Sequence, residues 1–113
     1  MLKWQHRSQA NNLLGNEDQN IANCLLVGKG GMEQHDSIQI GMTIMAPNTV
    51  FTDHRHPPRE VYAVLSDGSW RQNTDKWHQP GIGGFVYNQE NIVHAFKSGQ
   101  TPLLAIWCLS NLK

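Results

Sequence analysis

From Ile21 onward, apolar pieces four to eight residues long recur at short spacing, separated by Gly, Pro, Asn or Asp. That is the pattern of an all-β sandwich or barrel, and no stretch carries the period of a long helix. The clearest strand is Ile38–Met45, where Ile38, Ile40, Met42 and Ile44 share one face at period two before Pro47 and Asn48 turn the chain. Further strands are expected over 23–27, 50–54, 60–65, 69–73, 84–87, 92–97 and 103–109. Eight short strands predict a closed or double-sheeted barrel, because closure removes the unpaired edges that a small antiparallel sheet would expose. Residues 1–20 are rich in Asn, Gln and Asp and show no sustained period. They read as an N-terminal arm, with 21–113 as the barrel.

Composition narrows the partners. The 113 residues carry nine Lys or Arg and nine Asp or Glu, so the chain is formally neutral, and its cations are scattered from Lys3 to Lys113. A nucleic-acid binder needs a basic stripe to neutralise phosphates, and none is present. The length suits one domain. The longest apolar run, Leu103 to Leu109, is far short of the roughly 20 residues that cross a bilayer, so no membrane partner is expected. The start of the chain lacks the apolar segment of a secretory signal, which points to the cytoplasm. Cys24 and Cys108 lie in apolar surroundings without CxxC spacing; buried free thiols are the simpler reading and a long-range disulfide the other.

The chemistry concentrates in Asp53-His54-Arg55-His56-Pro57-Pro58-Arg59-Glu60-Val61-Tyr62, read together with His94. On a strand, His54 and His56 are two apart and point to one face, where both imidazoles can converge on one ion. The two prolines break the ladder, and Glu60 then opens a strand on which Glu60, Tyr62 and Val64 share a face. His94 follows a polar turn at the start of another apolar strand and completes a set of three histidines and one glutamate. Imidazole nitrogen and carboxylate oxygen suit one divalent transition metal, Fe, Mn, Zn, Ni or Co, without choosing among them. Four protein ligands leave positions for water or substrate. His6, His35 and His78 are read as structural or surface histidines.

His-x-His with three residues before Glu, followed downstream by His94, resembles the two motifs of the cupin superfamily. That resemblance implies a single-domain double-stranded β-helix, or jelly-roll barrel, and commonly a homodimer. Two departures stand out. Where cupins place a glycine seven residues after the glutamate, this chain has Asp67 with Gly68 next, and Gln89 and Asn91 replace the proline and turn glycine of the second motif. Asn91 can supply the left-handed conformation that the glycine would give.

Over roughly residues 25 to 110, HRHPPREVYAVLSDGSW, KWHQPG and the closing PLLAIW are similar to the small cupin lyases that split dimethylsulfoniopropionate into dimethyl sulfide and acrylate. On that resemblance His54, His56, Glu60 and His94 hold the metal and Tyr62 is the catalytic base beside Glu60. A phenol near a divalent cation can have its pKa lowered from about 10 toward neutrality. Trp70, Trp77, Tyr87 and Trp107 offer aromatic faces to a sulfonium, each such contact worth roughly 0.5 to 2 kcal/mol. Of these, Trp70, Tyr87 and Trp107 are the expected pocket residues. Two other classes share the ligand set: an oxygen-dependent cupin enzyme acting on a small organic acid, and a barrel that binds a small ligand without turnover. One fold hosts many chemistries, so the site must decide.

Overall fold

The structure, a computed structural model, describes residues 4–6, 20–35 and 37–110. Among these residues nine strands follow one another: β1 (Trp4–His6), β2 (Ile21–Val27), β3 (Ile38–Met45), β4 (Val50–His54), β5 (Arg59–Val64), β6 (Ser69–Gln72), β7 (Phe85–Asn88), β8 (His94–Lys97) and β9 (Leu103–Ser110). They form two antiparallel sheets, one of six strands in the order β1-β2-β3-β9-β5-β7 and one of three in the order β4-β8-β6. The eight expected strands are all present, most shifted by one or two residues at an end.

The ninth, β1, lies within the stretch read as an arm and pairs with β2, Trp4 opposite Cys24 and His6 opposite Ala22. Three residues are too few to show a period, and an edge strand is held by backbone hydrogen bonds that leave no mark on the side-chain pattern. The rest of that stretch, 1–3 and 7–19, lies outside the described residues.

The core sits between the sheets, built from Ile21, Met45, Tyr62, Val64, Trp70, Val86, Phe96, Leu103 and Ala105. Trp70 stacks on Phe96 with ring centroids 4.5 Å apart, and Tyr62 packs against both. On β3 the inward residues are Gly41, Thr43 and Met45, so the apolar set Ile38, Ile40, Met42 and Ile44 faces outward, with Ile44 exposed. The alternation is real, but the barrel is lined by the less apolar face. Gly41 has a steric reason: a Cβ there would lie 2.3 Å from Cζ2 of Trp107, its neighbour across the ladder on β9. Asn91 has φ +61°, the left-handed conformation expected of it at the turn before β8. Its amide donates to the His56 carbonyl at 2.9 Å, tying that turn to the segment that follows β4. Cys24 and Cys108 are both free. Among the described residues no helix is long and apolar enough to cross a membrane.

Candidate metal centre and cavity

Three elements meet at one end of the barrel. Glu60, on β5, is 4 % exposed and turns the same way as Tyr62 and Val64. His94 opens β8, and His56 sits beyond the end of β4 in the turn made by the two prolines. His56 Nε2 is 3.2 Å and His94 Nε2 3.3 Å from the same oxygen, Glu60 Oε1. His56, Glu60 and His94 therefore form a compact set of donor atoms, all within 4.8 Å of one another. His54 stands beside them, paired with His94 across β4 and β8, their ring centroids 4.1 Å apart.

His54 and His56 do not share a strand face as the spacing suggests. A bulge between Phe51 and His54 re-aims the end of β4, and the strand ends at His54. His56 is positioned by the proline turn instead, its Nδ1 2.8 Å from the Pro58 carbonyl.

Each imidazole is oriented by a backbone carbonyl two residues away: His54 Nδ1 at 2.8 Å from Thr52, His56 Nδ1 at 2.8 Å from Pro58, and His94 Nδ1 at 3.0 Å from Ile92. A carbonyl only accepts, so Nδ1 carries the proton and each neutral ring keeps its Nε2 lone pair. Two such lone pairs aimed at a carboxylate repel it unless a cation lies between them. At His56 a proton serves, and the hydrogen bond to Glu60 raises its pKa against the effect of burial. Among the described residues, His94 Nε2 is buried and makes no hydrogen bond, its 3.3 Å approach to Glu60 being misaligned for one. An orphaned buried nitrogen beside a buried carboxylate, with both tautomers fixed from behind, is what a metal ion fits.

The remaining electrostatics follow from burial and proximity. Burial works to raise the Glu60 carboxyl, but His56 and His94 outweigh it and bring it down to about 2. Burial, reinforced by the neighbouring His94, lowers His54 to about 4. Tyr62 follows Glu60 on the same face of β5, and burial first, then the neighbouring Glu60 carboxylate, hold its pKa well above 10.

The site opens into a cavity of about 630 Å³ lined by Asn23, Thr43, Phe51, Asp53, His54, Arg55, His56, Glu60, Tyr62, Trp107 and Leu109. Of the aromatic residues expected at a pocket, Trp107 lines it. Trp70 does not: it is 1 % exposed and belongs to the core. Tyr87 does not either, being 53 % exposed on β7 opposite Val61, on the outer face of the large sheet. Trp77 lies outside the cavity, with Arg71 Cζ 4.5 Å and Lys97 Nζ 4.2 Å from its ring centroid. Asn23, Thr43, Asp53, Arg55, Phe51 and Leu109 were not singled out by sequence. Thr43 carries one signal in retrospect, a polar residue on the face that alternates with the isoleucines.

Two layers of antiparallel strands closed around a histidine and glutamate cluster define a cupin barrel. More particularly, residues 1–105 match the DMSP lyase family, dimethylsulfoniopropionate lyase, and the chain belongs to that family. Over 78 residues it is 26% identical to a candidate dimethylsulfoniopropionate lyase, DddL, of Cereibacter sphaeroides, covering 69% of this chain and 33% of that protein. Its fold is similar to the crystal structure of the DMSP lyase DddQ from Ruegeria pomeroyi, with TM-score 0.88 and 22% identity over 97% of this chain and 56% of that one. It is also similar to a cupin 2 conserved barrel domain protein from Rhodopseudomonas palustris, with TM-score 0.77 and 11% identity over 99% of this chain and 73% of that one. The chain thus spans a third of the DddL protein and just over half of DddQ.

Proposed function

We propose that this chain cleaves dimethylsulfoniopropionate to dimethyl sulfide and acrylate, with one divalent transition metal held by His56, Glu60, His94 and His54. The observation that carries the reading is that the donor cluster and Tyr62, two residues along β5 from Glu60 on the same buried face, line the same cavity. When bound, such an ion supplies Lewis acidity toward the substrate's carboxylate and neutralises Glu60. Tyr62 is the base. Its phenolate takes the proton from the carbon next to the carboxylate, that electron pair forms the new double bond, and the bond from the β carbon to sulfur breaks as dimethyl sulfide leaves. No electron is gained or lost overall. In the metal-free protein, burial and Glu60 keep the phenol protonated, so its service as a base depends on the cation beside it. Trp107 offers the cavity an aromatic face for the sulfonium.

The test is anaerobic release of dimethyl sulfide and acrylate by metal-loaded protein. Tyr62→Phe should lower turnover by about 10²-fold or more with metal retained. Turnover unchanged in that variant, or obligatory oxygen uptake on substrate addition, contradicts the lyase reading.

We also propose a cytoplasmic homodimer. The two free thiols support a reducing compartment, and the exposed apolar residues Ile44, Val61 and Phe85 on the outer face of the large sheet support self-association. Sedimentation equilibrium giving only the monomer mass would exclude the dimer.

A further inference from the structure

The residues proposed to hold the metal come from both sheets, Glu60 from β5 of the large one and His94 and His54 from β8 and β4 of the small one. The gap between the sheets therefore sets the gap between the donors. One pleat step below, packing fixes that gap. Tyr62, opposite Val86 in the large sheet, meets Trp70 and Phe96, which stand opposite each other in the small one, with ring centroids 4.7 Å and 5.3 Å from that of Tyr62. At the level of the donors the pairs are polar instead. Glu60 stands opposite Asn88, and His94 stands opposite Gln72. Residues directly opposite on neighbouring strands share a face, with Cβ atoms about 4.5–5.5 Å apart, so both amides lie in the layer of the ligands.

β7 and β6 are edge strands of their sheets, and among the described residues no ladder joins them. Asn88 and Gln72 bridge that seam with a side-chain hydrogen bond of 2.9 Å. The bridge is indifferent to which way round the two amides stand, because in either arrangement an N–H of one meets the carbonyl of the other. Asn88 is 1 % exposed, and its second polar atom has no hydrogen bond among the described residues. Burying such an atom costs stability, and two apolar side chains of the same shape would hold the sheets together at least as well. What apolar contacts lack is direction: a hydrogen bond fixes a length and an angle, and burial of apolar surface fixes neither.

We infer that Asn88 and Gln72 are positioning residues for the metal centre, their bond across the seam fixing the gap that Glu60 and His94 span. Neither is a ligand; each acts through the ligand opposite it in its own sheet. The inference rests on the metal centre of the proposed function and not on the substrate.

The experiment titrates the metal-free chain with Co(II), whose visible absorption reports the arrangement of its ligands, against a competing chelator. The melting temperature of the same metal-free samples is recorded alongside. Asn88→Leu and Gln72→Met should each weaken Co(II) binding by about 10- to 100-fold and change the spectrum of the bound ion. The double variant separates positioning from packing and covers the case of a single variant that fails to fold. With both amides replaced by apolar groups of similar shape, its metal-free melting temperature should equal or exceed that of the wild type. Its Co(II) affinity should nonetheless stay about tenfold or more below wild type, with the spectrum still altered.

Wild-type affinity and spectrum in the double variant would make the pair a packing tie and overturn the inference. Affinity within about twofold of wild type in both single variants would overturn it too, and in either case Co(II) binding by the wild type leaves the metal centre standing. A wild-type chain that takes up no Co(II) removes the metal centre itself, and this inference with it.

Discussion

The two ends of the barrel interior are built by the same strands with opposite chemistry. On β5 the inward residues run Glu60, Tyr62, Val64, and on β9 they run from Leu109 and Trp107 to Ala105 and Leu103. On β3 they run from Gly41 and Thr43 to Met45, and on β2 from Asn23 to Ile21. In each case the change from cavity to core takes about two residues, one step of the pleat. One end is sealed by Phe96, Trp70, Leu103 and Val64; the other gathers histidines, a carboxylate, a phenol and an amide around open space. The sealed end supplies the stability that lets the open end hold an orphaned nitrogen and a buried carboxylate.

The largest effect should come from breaking the sealed end. Phe96 is fully buried and touches Trp70, Tyr62 and Phe51, so Phe96→Ala should cost about 3–5 kcal/mol of unfolding free energy, read from denaturant midpoints. Next comes the centre of the open end. Glu60→Gln removes the charge that both histidines face and should lower metal affinity by about 10²-fold or more in a chelator competition, with the fold retained.

Gly41→Ala tests the boundary between the two. The added Cβ must displace the Trp107 ring, which should cost about 1–3 kcal/mol of stability and raise KM for any ligand resting on that indole. The smallest effect belongs to the outside. Tyr87→Phe should change stability by no more than about 0.5 kcal/mol and leave turnover unaltered, because the side chain faces away from the cavity.

Acidity separates the ends in another way. In the metal-free protein Glu60 has a depressed pKa, so its contribution is present above 4.5 and lost as pH falls toward 2. His54 is also depressed, so the unfolded chain takes up its proton first, and stability is lost as pH falls from 6.5 to about 4. His56 is raised, so its contribution is present below 6.5 and fades as pH climbs through its folded value. Metal needs the imidazoles unprotonated. The Tm of the metal-loaded protein should therefore converge on that of the metal-free protein as pH falls through this range.

The same contrast explains what the sequence made legible. His54, His56 and Glu60 lie within seven consecutive residues, and Glu60, Tyr62 and Val64 follow a plain period of two, so their convergence is a local matter. Asn23 and Thr43 reach the cavity from strands 20 residues apart, and nothing in either segment alone marks a wall. Tyr87 sits between Val86 and Asn88, both buried, so here the aromatic ring is outside and the amide inside, against the usual preference. Asn88 is held there by Gln72, whose Nε2 donates to its Oδ1 at 2.9 Å, a pairing between strands that sequence spacing does not reveal. The bulge in β4 likewise depends on its pairing with β8, and it moved His56 from strand to turn while leaving it within reach of Glu60.

The central claim is that the donor cluster and Tyr62 form one reaction centre. Its most direct test is metal content and dimethyl sulfide release, measured on the same preparations of the wild-type chain and Tyr62→Phe. Near-stoichiometric metal is expected in both, with dimethyl sulfide from the wild type alone. Equal release from both, or full metal with no release from the wild type, would contradict it.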